Sequence, residues 1–270
     1  ALPLVHLVLP NHARPLTASP SFRRALLMGL DRAAMLEQLM QGASLAGYEV
    51  VSGPLPVGVE AGDPLRAFSD PAISPRACDP ELAALLAESA RCEVLAAGTL
   101  GAAADPESPI HVVLAHPAHE LTKTIAEMLA RQWRLIGIEV ELRPVVDPAM
   151  VPEQVDADLF LVEAAPWEPA FDLPRLLGEE GLTGGCTPYM SELLRQLLRA
   201  GSSADLQARC RAIHRLVNAE TSVLPLWQWV EHYAYRSDLS GVVRPVSSVY
   251  EGVEGWRLSF VWNAGGETMP

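Results

Sequence analysis

The sequence is short of cysteine, of positive charge and of long apolar runs. Its four cysteines, Cys78, Cys92, Cys186 and Cys210, form no CxxC pair, which argues against a structural zinc site. The formal net charge of −13 leaves no basic excess for binding nucleic acid or an anionic membrane. No apolar run approaches the roughly 18 residues of a membrane-spanning helix. We therefore expect a soluble chain with no nucleic-acid partner and with any targeting segment absent or removed.

The redox state of the cysteines stays open. Cys78 and Cys92 flank a predicted helix of about a dozen residues, roughly 18 Å long, which is beyond disulfide reach. A bridge between Cys186 and Cys210 is sterically allowed, whereas free and partly buried thiols are the simpler expectation. Cysteine therefore does not identify the cellular compartment.

Motifs of the common enzyme classes are also missing. The chain has no GxSxG elbow, no GxxxxGK[ST] phosphate loop and no GxGxxG after a strand. Asp31, Asp147 and Glu163 are conceivable general bases, but nothing pairs them with a nucleophile or with a partner of shifted pKa. We expect binding rather than catalysis, with no catalytic residue and no cofactor.

The clearest structural signal lies between residues 110 and 144. An apolar, β-branched run at 110–115 predicts a buried strand, and an amphipathic helical pattern follows it. Gly137 then stands where the residue after a helix needs a positive φ. Apolar and charged residues alternate over 138–143, as they do in a strand with one wet face. The stretch therefore predicts a βαβ unit with parallel strands, and with it an α/β fold.

Weaker patterns predict the remaining elements. They are a strand at 5–9, one helix from Pro20 to Met40, an irregular but ordered loop at 43–76, a helix capped by Asp79 and Pro80, a strand at 158–162, a loop at 163–188, helices at 190–199 and 206–219, and a strand at 224–236. The first helix is expected to bury Phe22, Leu26, Leu30, Ala33, Leu36 and Leu39.

Six segments carry a resemblance to a known family. They are FRRALLMGLDRAAMLEQLMQG, SGPLP, CDPELAALLAES, IAEMLARQWRLIGIEVELRPV, ADLFLVEAAPWEP and DLQARCRAIHRLVNAETSVLPLWQWVEHYAYRSDLSGV. In this order they resemble the second lobe of family 5 extracellular solute-binding proteins, the peptide, nickel and opine group of ABC transporters. The resemblance implies a periplasmic-binding-protein-like lobe with a mixed, mainly parallel sheet flanked by helices. Residues 1–236 would form this lobe, and residues 237–270 would return toward a first lobe outside the sequence.

The resemblance also implies a function. A family member traps a solute, most often a peptide, between two lobes and delivers it to an ABC transporter permease in the membrane. We expect a monomer in a periplasmic or extracellular, membrane-associated location. Nickel complexes, opines and sugars stay open as solutes. Two other roles also stay open: a ligand-sensing domain of an intracellular regulator, and an interaction module that has lost solute binding.

The loop at 163–174 is the best candidate for ligand contact. Loops at the carboxyl ends of parallel strands line the crevice in which α/β proteins bind ligands. Trp167 and Glu168 match the aromatic and Glu-Pro portion of this loop in the family. Ala165 stands where the resemblance places an aspartate that meets a peptide's α-amino group, which weakens the case for free peptide N-termini. Packing of Trp167 against its own lobe, with a merely solvated Glu168, is the alternative.

Trp227 and Trp229 form a second candidate pair. They lie two residues apart on a predicted strand and so face the same side. Core packing and a stacking platform for ligand are both open.

Two other groups of side chains are not assigned to ligand binding. His111, His116, His119 and Glu120 are the densest titratable cluster, but their spacing is not that of HExxH, and we expect no metal site. Arg23 or Arg24 is expected to cap a loop carbonyl or to form a structural ion pair, with ligand carboxylate binding as the alternative.

Overall fold

A computed structural model describes residues 2–60, 62–98, 108–146, 155–232, 235–242 and 252–258. Its strands are β1 (Leu2–Pro10), β2 (Glu49–Val50), β3 (Ile110–Pro117), β4 (Ile138–Val145), β5 (Leu159–Ala164), β6 (Leu224–Glu231), β7 (Leu239–Ser240) and β8 (Arg257–Leu258). Its α-helices are α1 (Pro15–Ala18), α2 (Pro20–Met28), α3 (Arg32–Leu39), α4 (Pro80–Ala96), α5 (Glu120–Arg134), α6 (Pro169–Leu177), α7 (Pro188–Leu197) and α8 (Ser203–Glu220). Short 3-10 helices occupy Pro64–Phe68 and Val253–Gly255.

Six strands form one mixed sheet in the order β2-β6-β1-β5-β3-β4. Strand β3 pairs in parallel with β4 and β5, while the ladders of β1 with β5, β1 with β6 and β2 with β6 are antiparallel. Strands β3, β4, β5 and β6 therefore point in one direction. The predicted α/β class is confirmed. Most strands of the sheet run in the same direction, as the prediction of a mainly parallel sheet requires, but most neighbouring strands pair antiparallel because β1 lies between β5 and β6.

Helices cover both faces of this sheet. Alternate residues of a strand point to opposite faces, so Val8 of β1 joins one core while Leu7 and Leu9 join the other. Helices α2, α3, α4 and α5 pack on the Val8 face, and α6, α7 and α8 pack on the Leu7 face. The result is a three-layer α/β arrangement in which the sheet is buried from both sides.

The βαβ unit forms as predicted. Strand β3, helix α5 and strand β4 follow one another, and the two strands pair in parallel along their whole length. Gly137 ends the helical segment with φ of 81°. Trp133 is fully buried on α5, and its indole N–H donates to the carbonyl oxygen of Leu26 at 2.8 Å, which joins α5 to α2.

The one long helix expected before Gly42 is two helices, α2 and α3, so that prediction was wrong. The side chain of Asp31 accepts a hydrogen bond from the backbone N–H of Ala34 and caps a second helix. The break between the two helices changes which of the following residues face the core. Ala33, expected in the buried stripe, is exposed, while Arg32 is only 3% exposed.

The irregular loop at 43–76 is ordered, as predicted. The side chain of Gln228 fixes it through four hydrogen bonds to its backbone. Gln228 of β6 is fully buried. Its Oε1 accepts from the N–H groups of Val57 and Gly58 at 2.8 and 3.1 Å, and its Nε2 donates to the carbonyls of Gly47 and Gly58 at 2.7 and 3.0 Å. All four hydrogen-bonding positions of the amide are thus used on the loop.

Other differences are smaller. Helix α6 lies where the sequence predicted only a loop, and β6 ends at Glu231 rather than 236. All four cysteines are free thiols. Asp147 lies outside the described residues, as does most of the segment at 237–270. Among the helices in the described ranges, none combines the length and apolar character needed to cross a bilayer.

Candidate functional site

The candidate site lies at the carboxyl edge of the sheet. Strands β3, β4, β5 and β6 end there, and β1 begins there because it runs antiparallel to β5 and β6. The edge gathers aromatic and titratable side chains from five separate segments. We define the carboxyl-edge cluster as His6, Tyr48, His119, Glu163, Trp167, Trp229 and His232.

Glu163 is the charged centre of the carboxyl-edge cluster. Its Oε1 lies 3.0 Å from Nε2 of His6, and its Oε2 lies 3.4 Å from Nε2 of His119. The hydrogen bond from His6 holds the pKa of the Glu163 carboxyl below its usual value, against the opposing effect of burial, with a further contribution from the charge of His119. Glu163 is therefore a carboxylate with two imidazole neighbours.

Aromatic rings surround the His6 end of this arrangement. The His6 ring centroid lies 6.0 Å from those of both Trp227 and Trp229. Tyr48 meets Trp229 edge to face at 5.0 Å and stacks on His232 at 6.2 Å. The Tyr48 hydroxyl also donates to the carbonyl of Val230 at 2.6 Å, which fixes the ring against β6.

Trp167 and Glu168 stand in the loop that follows β5. The indole N–H of Trp167 donates to the carbonyl oxygen of Pro3 at 2.9 Å, and the ring is half-buried. Glu168 is exposed and is the N-cap residue of α6, with its backbone N–H bound to Asp172 Oδ2 at 2.9 Å. Because its own carboxylate makes no capping hydrogen bond, it remains available at the surface.

The two tryptophans of β6 differ in exposure. Both face His6, as their spacing predicts, but Trp227 is 0% exposed and belongs to the core, whereas Trp229 is half-buried. In this structure Trp227 has no exposed surface for a ligand, and its ring packs beside His6 in the core. Trp229 keeps an accessible surface.

The side chains of the histidine-rich segment at 111–120 do not converge on one site. His116 is buried and bonds through Nδ1 to the carbonyl of Pro117 at 2.8 Å. His111 pairs with Glu139 at 3.4 Å, and His119 turns to Glu163. Within the described ranges, no group of three or more His, Cys, Asp or Glu side chains is arranged to hold a metal ion.

A cavity of about 370 Å³ lies at the opposite, amino edge of the sheet and does not coincide with the candidate site. Arg23, which lines it, donates to the carbonyls of Thr17, Ala18, Glu220 and Thr221. Arg24 donates to the carbonyl of Ala219 at 2.8 Å. Both guanidinium groups therefore cap backbone carbonyls, as the sequence predicted for one of them.

Sequence reasoning missed three members of the carboxyl-edge cluster, His6, Tyr48 and His232, and named Glu163 only as a conceivable general base and as the first residue of the loop at 163–174. The signal for His6 and Glu163 was a titratable residue inside an otherwise apolar strand, where an unpaired charge is disfavoured. Register pairs the two residues across β1 and β5. Tyr48 comes from the irregular loop and left no such signal.

Fold and site together define a lobe of the periplasmic-binding-protein type. The model of the bacterial extracellular solute-binding proteins, family 5 Middle, matches residues 3–178. The chain belongs to this family. A comparison with curated proteins gave no match.

Solved structures agree with this assignment at the level of fold. The oligopeptide-binding protein AppA from Bacillus subtilis, in complex with a nonapeptide, is similar with a TM-score of 0.71, 17% identity and coverage of 95% of this chain and 51% of its own. NikZ from Campylobacter jejuni, in complex with Ni(L-His), gives 0.69, 15%, 94% and 51%. The murein tripeptide-binding protein MppA of Escherichia coli gives 0.64, 16%, 89% and 45%. The chain thus spans about half the length of these proteins.

Proposed function

We propose that this chain captures a solute, a peptide, without catalysis, for delivery to an ABC transporter permease. Membership of family 5 supports the general role. The observation that carries the proposal is the loop after β5, which is tied to β1 through Trp167 and presents Glu168 at the carboxyl edge. This is the edge at which α/β proteins bind ligands.

We assign direct contact with the solute to Trp167, Glu168 and Trp229. The half-buried rings of Trp167 and Trp229 offer flat apolar surface, and the carboxylate of Glu168 offers an acceptor for peptide N–H groups or cations. Trp167 bonds to Pro3, and the next residue, Leu4, is the register partner of Trp229, so the loop that carries Trp167 and the strand that carries Trp229 are both held against β1. Trp227 supports the site from the core.

The same proposal places the protein outside the cytoplasmic membrane, as a monomer that docks on a permease. In the two-lobed arrangement that the family resemblance implies, closure around the solute is driven by contacts that are stronger in the closed state. The chain spans about half the length of its structural neighbours, so we expect it to supply about half of those contacts. Residues 1–270 alone should therefore bind a peptide weakly.

A titration of residues 1–270 with trialanine amide, followed by tryptophan fluorescence and by NMR, tests this proposal. We expect saturable binding in the millimolar range that weakens in the variants Trp229→Ala and Trp167→Ala. Leu85→Ala changes a 69% exposed side chain on α4 and serves as the control that leaves binding unchanged. Nanomolar binding would contradict the expectation that residues 1–270 supply only about half of the contacts with the solute. Unchanged binding in both tryptophan variants would overturn the assignment of the site.

A further inference from the structure

The two carboxylate oxygens of Glu163 are held unequally. Oε1 accepts from His6 at 3.0 Å, and the His6 side chain is only 1% exposed. Oε2 has His119 at 3.4 Å, beyond the usual range of a charged hydrogen bond, and the His119 side chain is 47% exposed. One oxygen is therefore fixed by the core, while the other faces a loosely held surface group.

This arrangement leaves a negative charge incompletely paired. The hydrogen bond from His6 lowers the pKa of Glu163, so the group is ionised near neutral pH, and 29% of its side-chain surface is exposed. A partly buried carboxylate is stabilised by a close cationic donor, and charged hydrogen bonds of this kind are usually 2.7–2.9 Å long. His119 does not come that close.

The surroundings favour a cation as the missing partner. His6, which holds Glu163, is flanked by Trp227 and Trp229, and Tyr48 lies 5.0 Å from Trp229. Aromatic faces attract ammonium and guanidinium groups through the ring quadrupole. These rings adjoin His6 rather than Glu163 itself, so the carboxylate would supply the main attraction for a cation and the accessible ring of Trp229 a weaker one.

We propose that Glu163 receives the cationic group of the solute, an ammonium or a guanidinium, on Oε2, and that this group displaces His119. His6 keeps Oε1 in place during the exchange and acts as a positioning residue. The inference rests on the proposed function, since it names the chemical class of solute that the carboxyl edge selects. It assigns this selection to Glu163.

A matched pair of probes tests the proposal: trialanine amide, which carries an ammonium, and N-acetyl-trialanine amide, which does not. We expect the free amine to bind about tenfold more tightly, the change in Kd expected for one hydrogen bond to a charged group. The His119 ring protons should shift on binding of the free amine, since the imidazole leaves Glu163. The acetylated probe should leave them in place.

Three variants of the chain separate a ligand contact from a structural role. Glu163→Gln should reduce the tenfold preference to about one, whereas His119→Ala should increase the affinity for the free amine because it removes the competing donor. Glu139→Gln is the control, since His111 and Glu139 form another His-Glu pair at 3.4 Å with both side chains more than half exposed. This control should keep the wild-type preference.

The outcomes distinguish this inference from the proposed function. Binding of both probes with equal affinity by the wild-type chain, or a preference that survives Glu163→Gln, overturns the role of Glu163 and leaves peptide capture standing. Absence of binding by either probe at millimolar concentration overturns both. If Glu163→Gln fails to fold, the affinities of the two probes for the wild type and for His119→Ala still test whether Glu163 receives the cationic group.

Discussion

The indole N–H of Trp167 donates to the carbonyl oxygen of Pro3 at 2.9 Å, across 164 positions of sequence. This contact ties the loop after β5 to the start of β1, two segments that meet at the carboxyl edge of the sheet. A binding loop that is fixed to a strand loses less conformational freedom when ligand arrives. Trp167 therefore combines an anchoring N–H with a ring that is only partly buried.

The first prediction concerns this anchor. Trp167→Phe keeps an aromatic ring and removes the donor, so the free energy of unfolding should fall by about 1 kcal/mol. Backbone amides of the loop around Trp167 should also exchange faster with deuterium. Trp256→Phe is the matched control, because the Trp256 indole N–H has no hydrogen-bond partner in the described part of the chain. Equal effects of the two substitutions would contradict the anchoring role.

The second prediction concerns the hydrogen bonds between the side-chain amide of Gln228 and the loop at 43–76. Gln228→Leu removes the partner of Val57, Gly58 and Gly47 backbone groups in a fully buried position. Each buried group left unsatisfied costs about 1–3 kcal/mol, so we expect a loss of at least about 3 kcal/mol in urea denaturation. Gln38→Leu, at an exposed position of α3, is the control. A loss below about 1 kcal/mol for Gln228→Leu would mean that the loop is held by other contacts.

The third prediction concerns Gly53, which lies against the ring of His214. A Cβ at this position would come 2.5 Å from His214 Cδ2. The ring is hard to move, because its Nδ1 accepts from the backbone N–H of Asp70 at 2.9 Å and its Nε2 lies 3.2 Å from the Ser52 hydroxyl. Gly53→Ala should therefore lower the melting temperature, with a cost of about 1–3 kcal/mol.

Gly201→Ala provides the comparison for Gly53→Ala, since an added Cβ at Gly201 would meet nothing within 4 Å. We expect its melting temperature to stay close to that of the wild type. If the two alanine variants melt together, the loop at 43–76 can move away from His214, and the packing of the ring is looser than the contacts indicate.

Local patterns predicted the elements whose information is contained in a short stretch. The βαβ unit at 110–145 follows from period and from Gly137, and the Asp79 cap follows from its position before a helical run. The break between α2 and α3 was missed because the helical period continues through it, and the capping by Asp31 overrides that period.

The candidate site was predicted only in part, for a related reason. Trp167 and Glu168 stand out because an aromatic residue and a Glu-Pro step follow a predicted strand, and Trp229 stands out because it lies two residues from Trp227 on another predicted strand. The pairing of His6 with Glu163 depends on the register of β1 against β5, and these strands are separated by about 150 residues of chain. The burial of Trp227 likewise depends on α-helices that cover its face of the sheet.

The fourth prediction concerns pH. Burial, with a smaller effect of the neighbouring Arg23 charge, lowers the pKa of His12 from 6.5 to about 4. The unfolded chain therefore binds more protons than the folded chain between these two pH values, and the free energy of unfolding falls as pH falls through this window. His12 alone contributes a loss of about 3 kcal/mol at most.

Urea denaturation between pH 7 and pH 4 checks the role of His12. His12→Gln keeps a donor for the carbonyl of Ser222, which lies 3.1 Å from His12 Nε2, but does not titrate. The stability of this variant should fall less steeply with acid than that of the wild type. Parallel curves for the two proteins would show that His12 protonates without cost in the folded state.

The most direct test of solute capture uses the native protein with both lobes that the family resemblance implies, because residues 1–270 alone should bind too weakly to retain a solute. The test identifies what this protein carries when it is purified gently from its source cells. Denaturation followed by mass spectrometry of the released small molecules should yield peptides that bear a free amino group or a basic side chain. Their amount should fall sharply in the variants Trp229→Ala and Glu168→Ala expressed in the same cells. Recovery of no peptide, or of the same amount from the wild type and from both variants, would contradict the account.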